Sequence, residues 1–404
     1  MSNVGCHCPT QIKPARIILT ALLFSVSSSA SAANTLLVGP GQAYSKPCAA
    51  IAAASSGDTI QIDAAGNYAG DVCAWSTSGL TVRGVNGRPQ ISAAGNNAQG
   101  KAIWVIAGDN TTIDNIELSG CTVPDGNGAG IRQEGHNLTL LDSYIHDNQD
   151  GILAGDLTGS TIDIEYTEFF NNGAGDGQTH NVYINHVDTL IFKYNWSHHA
   201  VVGHLLKSRA RQNIVMYNRL TGETGGTESY EASFPSGGLT YVIGNIIEQP
   251  TTTDNSAMLD YLSEPATANA VNQLFVVNNT FVNDLGHGTF MQIGSTTTVP
   301  VVATNNIFFG GGTLSTQAST VFSGNYSGSN PMFENTADYD YRLLPGSPAI
   351  DKGVNPGSGV GFALTPTQEY VQPASGMPRP VQGRLDIGAY EFYDTIFANG
   401  FEAN

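Results

Sequence analysis

The segment Ile214-Val215-Met216-Tyr217-Asn218-Arg219-Leu220 contains the pattern that decides the fold. A short apolar, β-branched run is followed by a small polar residue, mostly asparagine, and then by an apolar or aromatic residue. The same pattern returns at spacings of 19 to 34 residues. Its positions are Asn115-Ile116, Ser143-Tyr144, Thr167-Glu168-Phe169, Asn195-Trp196, Asn218-Arg219-Leu220, Asn245-Ile246, Asn279-Thr280-Phe281, Asn306-Ile307 and Asn325-Tyr326. Such spacings are typical of repeat architectures, so each run is predicted to be one strand of a coil in a solenoid.

The asparagines have a structural use in such a coil. An amide side chain can donate to and accept from the turn backbone, and identical neighbours can form a ladder. Sustained helical periodicity is confined to Cys48 to Ala54, whose small residues suit a short cap. We therefore predict an all-β solenoid over residues 33–330 with an N-terminal cap.

The composition narrows the class of protein further. The chain has 404 residues, 41% hydrophobic residues and a formal net charge of −18. That hydrophobic content is enough for a core, which excludes a disordered chain. The sign of the charge disfavours nucleic acid as a partner. The length exceeds that of an ordinary single-core domain, but a solenoid escapes this limit by adding coils.

The N-terminus has the pattern of a secretory signal. Lys13 and Arg16 precede the apolar run from Ile17 to Val26, and Ala30-Ser31-Ala32 provides small residues for cleavage. The run is too short to span a bilayer comfortably, and no later stretch does better. Residues 1–32 are therefore predicted to be a signal peptide, and the protein to be secreted or held at a bacterial cell surface.

Three cysteines follow this leader. Secretion permits disulfides, and Cys48 and Cys73 are 25 residues apart, close to one coil. We expect these two to pair and Cys121 to be free and buried. Three cysteines without a Cys-x-x-Cys motif disfavour structural zinc.

The candidate chemistry gathers between His180 and Arg211. Five of the chain's nine histidines lie there, together with Lys207, Arg209 and Arg211. Tyr183, Lys207 and Glu231 are separated by 24 residues each, and so are His180, His204 and Glu228. With a coil of that length the two sets form parallel columns, and strand alternation places Lys207 and Arg209 on one face. A polar solenoid face without any function is the plain alternative.

From this arrangement we take five residues as candidate catalytic groups: Lys207, Tyr183, Arg209, His204 and His180. Candidate substrate-binding residues are Arg211, Glu231, Glu228, Arg132, His199 and Tyr230. The sequence requires no cofactor. Asp147, Asp150 and Asp156 could hold Ca²⁺, although no loop spacing compels it.

Several motifs carry a resemblance to known families. Gly39-Pro-Gly-Gln-Ala-Tyr44, Ala49 to Ala54 and Gly57-Asp-Thr-Ile60 resemble the capping start of secreted right-handed parallel β-helix proteins of the pectate-lyase-like class. That class implies a single-stranded, pectin-lyase-like solenoid. Residues 331–393 contain two segments, 340–351 and 386–392, that are similar to the C-terminal part of choice-of-anchor proteins. The tail 394–404 looks like a short C-terminal signature of some secreted bacterial proteins.

A further resemblance concerns the candidate site. Lys207-Ser208, followed by Asn213 and Asn218, resembles the Lys-Ser segment of the β-helix alginate and chondroitin lyases of family 6. In that family the lysine is the base, which the resemblance implies for Lys207. The arginine expected about one coil later is missing.

Three functions remain open at this point. A lyase would cleave a uronic-acid polymer by β-elimination, with Lys207 as base, Tyr183 as acid or base, and Arg209 as a fork for the carboxylate. A glycoside hydrolase would use two carboxylates, for which Glu228, Glu231 and Asp260 are candidates and Asp254 a weaker one. A non-catalytic carbohydrate-binding or surface solenoid is the third. We expect a lyase that acts as a monomer on an acidic polysaccharide.

Overall fold

A computed structural model describes residues 1–2, 33–380 and 382–393. The predicted signal peptide, apart from its first two residues, and the tail 394–404 lie outside the described residues. The fold belongs to the compact unit that begins at Ala33. Within the described part of the chain, no helix has both the length and the apolar character needed to cross a membrane.

The described chain is almost entirely β. Its regular elements, in chain order, are β1 Thr35–Val38, α1 Pro47–Ala53, β2 Thr59–Asp63, β3 Cys73–Trp75, β4 Thr81–Val85, β5 Gln90–Ser92, β6 Ala102–Ile106, β7 Thr111–Asp114, β8 Glu117–Ser119, β9 Ala129–Gln133, β10 Leu138–Leu141, β11 Tyr144–His146, β12 Asp150–Ala154, β13 Leu157–Glu165, β14 Glu168–Phe170, β15 Val182–Ile184, β16 Val187–Lys193, β17 Trp196–His198, β18 Lys207–Ser208, β19 Gln212–Met216, β20 Arg219–Thr221, β21 Ala232–Phe234, β22 Leu239–Ile243, β23 Ile246–Gln249, β24 Ala257–Tyr261, β25 Gln273–Val277, β26 Thr280–Asn283, β27 Thr289–Ile293, β28 Val302–Thr304, β29 Ile307–Gly310, β30 Thr313–Ser315, β31 Val321–Ser323, β32 Tyr326–Gly328, β33 Phe333–Asn335, β34 Asp340–Leu343, β35 Ser358–Gly359, β36 Phe362–Ala363, β37 Gln368–Val371 and β38 Ser375–Pro378. Short 3₁₀ turns cover Pro265–Thr267 and Thr336–Asp338.

Three parallel sheets make up the solenoid. Sheet I has the strand order β1-β2-β4-β7-β10-β13-β16-β19-β22-β25-β28-β31. Sheet II runs from β5 through β8, β11, β14, β17, β20, β23, β26 and β29 to β32. Sheet III runs from β3 through β6, β9, β12, β15, β18, β21, β24 and β27 to β30. Each coil contributes one strand to each sheet, so the chain forms the predicted right-handed parallel β-helix.

Alternation along each strand builds the core. In β13, Ile162 and Ile164 are fully buried, whereas the residues between and after them face outward. The same alternation in every coil directs apolar side chains to the coil interior, where they form one continuous cluster. The side chains at the intervening positions lie on the outer faces of the three sheets, where they meet solvent or other parts of the chain.

The asparagine ladder is present at the turn that leads into sheet II. The backbone N–H of Asn195 donates to Oδ1 of Asn218 at 2.9 Å, and Asn218 donates in the same way to Asn245. The ladder continues through Asn279, Asn306 and Asn325. These amides satisfy backbone groups that the turn would otherwise leave buried without partners.

The repeat of small polar residues is predicted to begin at Asn115, and this first position is wrong by one residue. Ile116, not Asn115, lies in register, because its N–H donates to the hydroxyl of Ser143. Asn115 has a positive φ of 56°, and its side-chain amide donates to the Gly87 carbonyl, which is not part of the asparagine ladder. An asparagine at such a turn tolerates the left-handed conformation, which gives it a separate reason to be there.

The N-terminal end is closed by α1. Pro47 starts this helix, and Ala50 and Ile51 are buried against the first coil. Cys48 of α1 forms a disulfide with Cys73 of β3, with their Cα atoms 5.8 Å apart. Cys121 is free and buried.

The segment 331–393 packs along the outside of the solenoid. Phe333, Tyr341 and Tyr370 bury against Ile246 and Ile307 of sheet II. The same segment reaches sheet I through Leu364 and Phe362, which pack near Tyr241. The C-terminal segment therefore covers parts of sheets I and II. The candidate site is built on sheet III.

Candidate active site

A single row of outward side chains on sheet III organises the site. The strand register aligns Arg132, Leu153, Tyr183, Lys207, Ser233, Asp260 and Gln292. Tyr183 and Lys207 are direct partners on β15 and β18, as the 24-residue spacing predicts. Their neighbours Ile184 and Ser208 are fully buried, so alternation turns the two candidate side chains outward.

The prediction that Glu231 stacks on Lys207 is wrong. Ser233 is the partner of Lys207, 26 residues later in the chain. The column of His180 and His204 is offset by the same two residues, so that Ser229 and Tyr230, rather than Glu228, lie next to His204. The Ser229 hydroxyl is 2.8 Å from His204 Nδ1, and the Tyr230 ring contacts the His204 ring. The coil from Lys207 to Ser233 is therefore two residues longer than the coil from Tyr183 to Lys207, and a constant period could not foresee this.

The two glutamates are consequently inside the protein. Glu228 and Glu231 have no exposed surface, and their carboxyl oxygens have no hydrogen-bond partner in the described structure. Burial raises the pKa of Glu228 to about 8, and burial followed by the charge of Glu228 raises the pKa of Glu231 well above its ordinary value. Neither residue can contact a substrate as predicted, and a hydrolase pair built on them is not accessible to a glycosidic bond.

Lys207 lies in a partly enclosed position. Its Nζ is 5.1 Å from the centre of the Tyr183 ring and 3.4 Å from Nε2 of His180. Burial lowers the pKa of Lys207, and the nearby positive charge of Arg209 lowers it further. The carboxylates of Glu264 and Asp260 oppose this shift. The net direction is a pKa below the ordinary lysine value, so the neutral amine, the form that can accept a proton, is reached at a lower pH than for a free lysine.

The histidine pair explains how the amine is oriented. The backbone N–H of His204 donates to Nδ1 of His180 at 3.0 Å, and the two rings stack with centroids 4.4 Å apart. His180 is fully buried, and burial lowers its pKa well below the ordinary value. Because Nδ1 accepts, the neutral ring carries its proton on Nε2, which faces Lys207. An Nε2–H donor matches a neutral amine and would repel an ammonium group.

Arg209 supports the tyrosine rather than offering a free fork. Its Nε donates to the Tyr183 hydroxyl at 3.1 Å, and its Nη2 donates to Glu264 at 2.7 Å. Its Nη1 donates to the hydroxyls of Ser236 and Thr267 at 3.0 and 3.1 Å. All three nitrogens already have partners, so the predicted bidentate carboxylate clamp is not available in this arrangement.

Further polar groups complete the neighbourhood of Lys207. Asp260 accepts from the hydroxyl of Ser233 at 3.1 Å, and one of its oxygens has no partner. Gln292 donates to the hydroxyl of Tyr230 at 3.2 Å. Asp150 accepts from the His180 backbone at 2.8 Å, and burial raises the pKa of Asp150 to about 8. Sequence reasoning missed Ser233, Gln292 and Glu264, because only the true coil lengths place them here.

The remaining candidates lie at different distances from this centre. Arg132 is in the same row, two strands before Tyr183, with its Nε unpaired. Arg211 instead binds Asp188 and Thr158. His199 contacts His198 and the Thr224 carbonyl beside sheet II. Arg211 and His199 thus have separate surroundings and do not join the Lys207 site.

The three aspartates considered for Ca²⁺ also separate. Asp147 contacts His146 and Asn171, Asp156 is 3.8 Å from His186, and Asp150 accepts from the His180 backbone. Across residues 33–380 and 382–393, no three His, Cys, Asp or Glu side chains are grouped as metal ligands. The predicted Ca²⁺ set is therefore not assembled in this structure.

Comparison with known proteins supports the fold. No protein-family description matches the sequence, and no curated protein does. Among solved structures, the pectate lyase Pel9A matches with a TM-score of 0.60 and 12% identity, covering 89% of this chain and 97% of that one. The pectin methylesterase from Aspergillus niger matches with a TM-score of 0.32 and 12% identity, covering 78% and 91%. The first match shows a shared fold, and the second is too weak to argue from.

Proposed function

We propose that this protein is a secreted polysaccharide lyase that cleaves a uronic-acid-containing polymer by β-elimination, with Lys207 as the base. The observation that carries the proposal is the contact between Lys207 and His180. A histidine whose Nδ1 is occupied by a backbone donor presents Nε2–H to the amine and favours its neutral form. A partly enclosed neutral lysine is suited to removing a proton from carbon.

The remaining groups fit the other steps of this reaction. Lys207 Nζ turns its single lone pair from the 3.4 Å contact with His180 Nε2–H to the substrate and takes the proton α to the uronate carboxylate. The electron pair of that C–H bond forms the new double bond. The bond from the adjacent carbon to the glycosidic oxygen breaks, and Tyr183 gives its proton to that oxygen. The Arg209 N–H donates to the Tyr183 hydroxyl and stabilises the phenolate that remains. The protonated Lys207 then lies beside the newly formed unsaturated uronide.

The row on sheet III gives the polymer a direction. Arg132, three strands from Lys207, is about 14 Å away along the row. Its Nε lies 3.7 Å from the Glu134 carboxylate, and its other guanidinium nitrogens can donate to the carboxylate of another sugar unit. Basic side chains at Lys207, Arg209 and Arg132 lie along this face of a strongly acidic chain, where Arg209 is paired with Glu264 and Arg132 with Glu134. The shared fold with a protein named as a pectate lyase makes polygalacturonate the first substrate to test.

The test is a panel of polygalacturonate, alginate, polyglucuronate and chondroitin, read by the ultraviolet absorbance of an unsaturated uronide, with and without a chelator. We expect at least one polymer to be cleaved. Lys207→Ala should lower the rate by about 10²- to 10⁴-fold. Lys193→Ala, a partly exposed lysine on sheet I, is the matched control and should retain the full rate. Absence of unsaturated product with every polymer, or full activity in Lys207→Ala, would contradict the proposal.

A further inference from the structure

A large cleft lies between sheet II and the C-terminal segment, and its lining includes none of the sheet III residues around Lys207. Its volume is about 1140 Å³. Trp196 and Arg219 of β17 and β20 form one wall, and Tyr339, Tyr370 and Tyr393 of the C-terminal segment form part of the other. Pockets of this size accept ligands larger than a monosaccharide.

Aromatic side chains form a large part of the cleft lining and of its approach. Six aromatic residues line it: Trp196, Tyr339, Tyr370, Tyr390, Phe392 and Tyr393. Trp196 is held flat, because its ring stacks on His198 with centroids 3.8 Å apart and planes 7° apart. Its indole N–H donates to the Thr221 hydroxyl at 3.3 Å, which fixes the ring orientation. A flat, anchored aromatic ring gives a rigid surface on which a ligand can stack.

The approach to the cleft is a strip of outward side chains on sheet II. The register places Tyr144, Glu168, Trp196 and Arg219 in one row. A second row contains His146, Phe170 and His198. From Tyr144 to Trp196, where it meets the cleft, the strip spans two strand spacings, about 10 Å. It therefore has the length to carry a short linear chain of sugars.

The charges of the cleft select against the polymer proposed for sheet III. Six carboxyl groups and two guanidinium groups line it. Both guanidinium groups are already paired, Arg219 with Glu223 at 2.8 Å and Arg342 with Asp340. A uronate carboxylate would meet excess negative charge without a free cation. Carboxylate oxygens are, however, good acceptors for sugar hydroxyl groups.

We propose that the cleft and its strip bind a neutral oligosaccharide, with pyranose rings stacked on Trp196 and Tyr393. The apolar face of a neutral hexose suits the aromatic surfaces, and its hydroxyl groups suit the carboxylates at the rim, such as Glu334 and Asp338. The site uses none of the groups around Lys207, so it stands whether or not the lyase chemistry does. Its role would be to hold the protein on neutral glycan chains.

The experiment uses the full chain and hexasaccharides of β-1,4-linked glucose, mannose and galactose as probes. Hexagalacturonate and hexaglucosamine serve as the anionic and cationic comparisons. Trp75 and Trp104 are 6% and 0% exposed, so a ligand-dependent change in tryptophan fluorescence reports mainly on Trp196. Calorimetry supplies the dissociation constant. We expect at least one neutral hexasaccharide to bind with a dissociation constant below about 1 mM.

Substitutions then locate the binding. Trp196→Ala should abolish the fluorescence change and weaken binding at least about tenfold. Tyr393→Ala should weaken binding similarly, and its 51% exposure makes loss of folding a minor concern. Phe322→Ala, an exposed aromatic on sheet I, is the matched control and should leave the affinity unchanged. Failure of all neutral probes, tighter binding of either charged probe, or unchanged affinity in both cleft variants would overturn the proposal.

Discussion

The buried carboxyl group of Glu228 should make the stability of the protein fall as the pH rises. Its side chain has no exposed surface and no hydrogen-bond partner, and its pKa is raised from 4.5 to about 8 by burial. Below pH 4.5 the group is protonated in both the folded and unfolded states. Between 4.5 and about 8 the unfolded chain loses this proton and the folded chain keeps it, so the free energy of unfolding decreases throughout that window.

The size of the change in the free energy of unfolding follows from the pKa shift of Glu228. Each pKa unit corresponds to about 1.36 kcal/mol, so a shift of about 3.5 units lowers the free energy of unfolding by about 5 kcal/mol between pH 4.5 and pH 8. Glu228→Gln keeps the shape of the protonated side chain and removes the titration. Glu248 and Asp150 have pKa values raised to about 8 by burial and contribute in the same direction. The difference between wild type and variant therefore reports Glu228 together with its coupling to its acidic neighbours Glu231 and Glu248.

The assay is urea unfolding of the oxidised protein at pH 5, 7 and 9, analysed by linear extrapolation. The wild type should lose several kcal/mol more than Glu228→Gln over this range. Asp254→Asn, which changes an exposed carboxylate on the neighbouring turn, is the control and should follow the wild type. Equal pH dependence in wild type and Glu228→Gln would refute the reasoning, because it would mean that this carboxyl group titrates alike in both states.

Three further predictions concern the candidate site and the ladder. Loss of kcat/KM at acidic pH should report protonation of Lys207, with a midpoint below the ordinary lysine pKa of 10.5, because burial and Arg209 lower the pKa of Lys207. A midpoint at or above that value would contradict Lys207 as a neutral base. Tyr183→Phe and Arg209→Ala should each lower kcat by about 10²-fold or more. The double variant should lose little more activity than either single variant, because Arg209 acts through the Tyr183 hydroxyl. Additive losses in steady-state kinetics would show that the two residues act separately. Asn245→Ala should lower the free energy of unfolding by about 2–4 kcal/mol, since it leaves buried backbone groups unpaired, whereas Asn115→Ala outside the ladder should cost less in the same urea assay.

The solenoid was readable from the sequence because its signal is local and repeated. Successive coils repeat the same short pattern of an apolar run, a polar turn residue, mostly asparagine, and another apolar residue. The ladder hydrogen bonds join equivalent positions of neighbouring coils, such as Asn218 and Asn245. A coil of about 25 residues also brings Cys48 beside Cys73. Tyr183 and Lys207 become neighbours for the same reason. These features depend on spacing alone, and spacing is a property of the sequence.

The composition of the site beyond that pair depended on the tertiary structure. A coil two residues longer than the preceding one places Ser233, not Glu231, beside Lys207, and only the register of the folded coils reveals such a change. Glu264 accepts a hydrogen bond from the Arg209 guanidinium, although the two residues are 55 positions apart in the sequence. Glu264 lies in a loop without a periodic sequence pattern, so spacing could not predict this contact. The cover of sheet II by the C-terminal segment likewise depends on side-chain packing between regions far apart in sequence. Local periodicity determines which residues form coils, whereas the length of each turn and the docking of non-repeating segments decide which side chains finally meet.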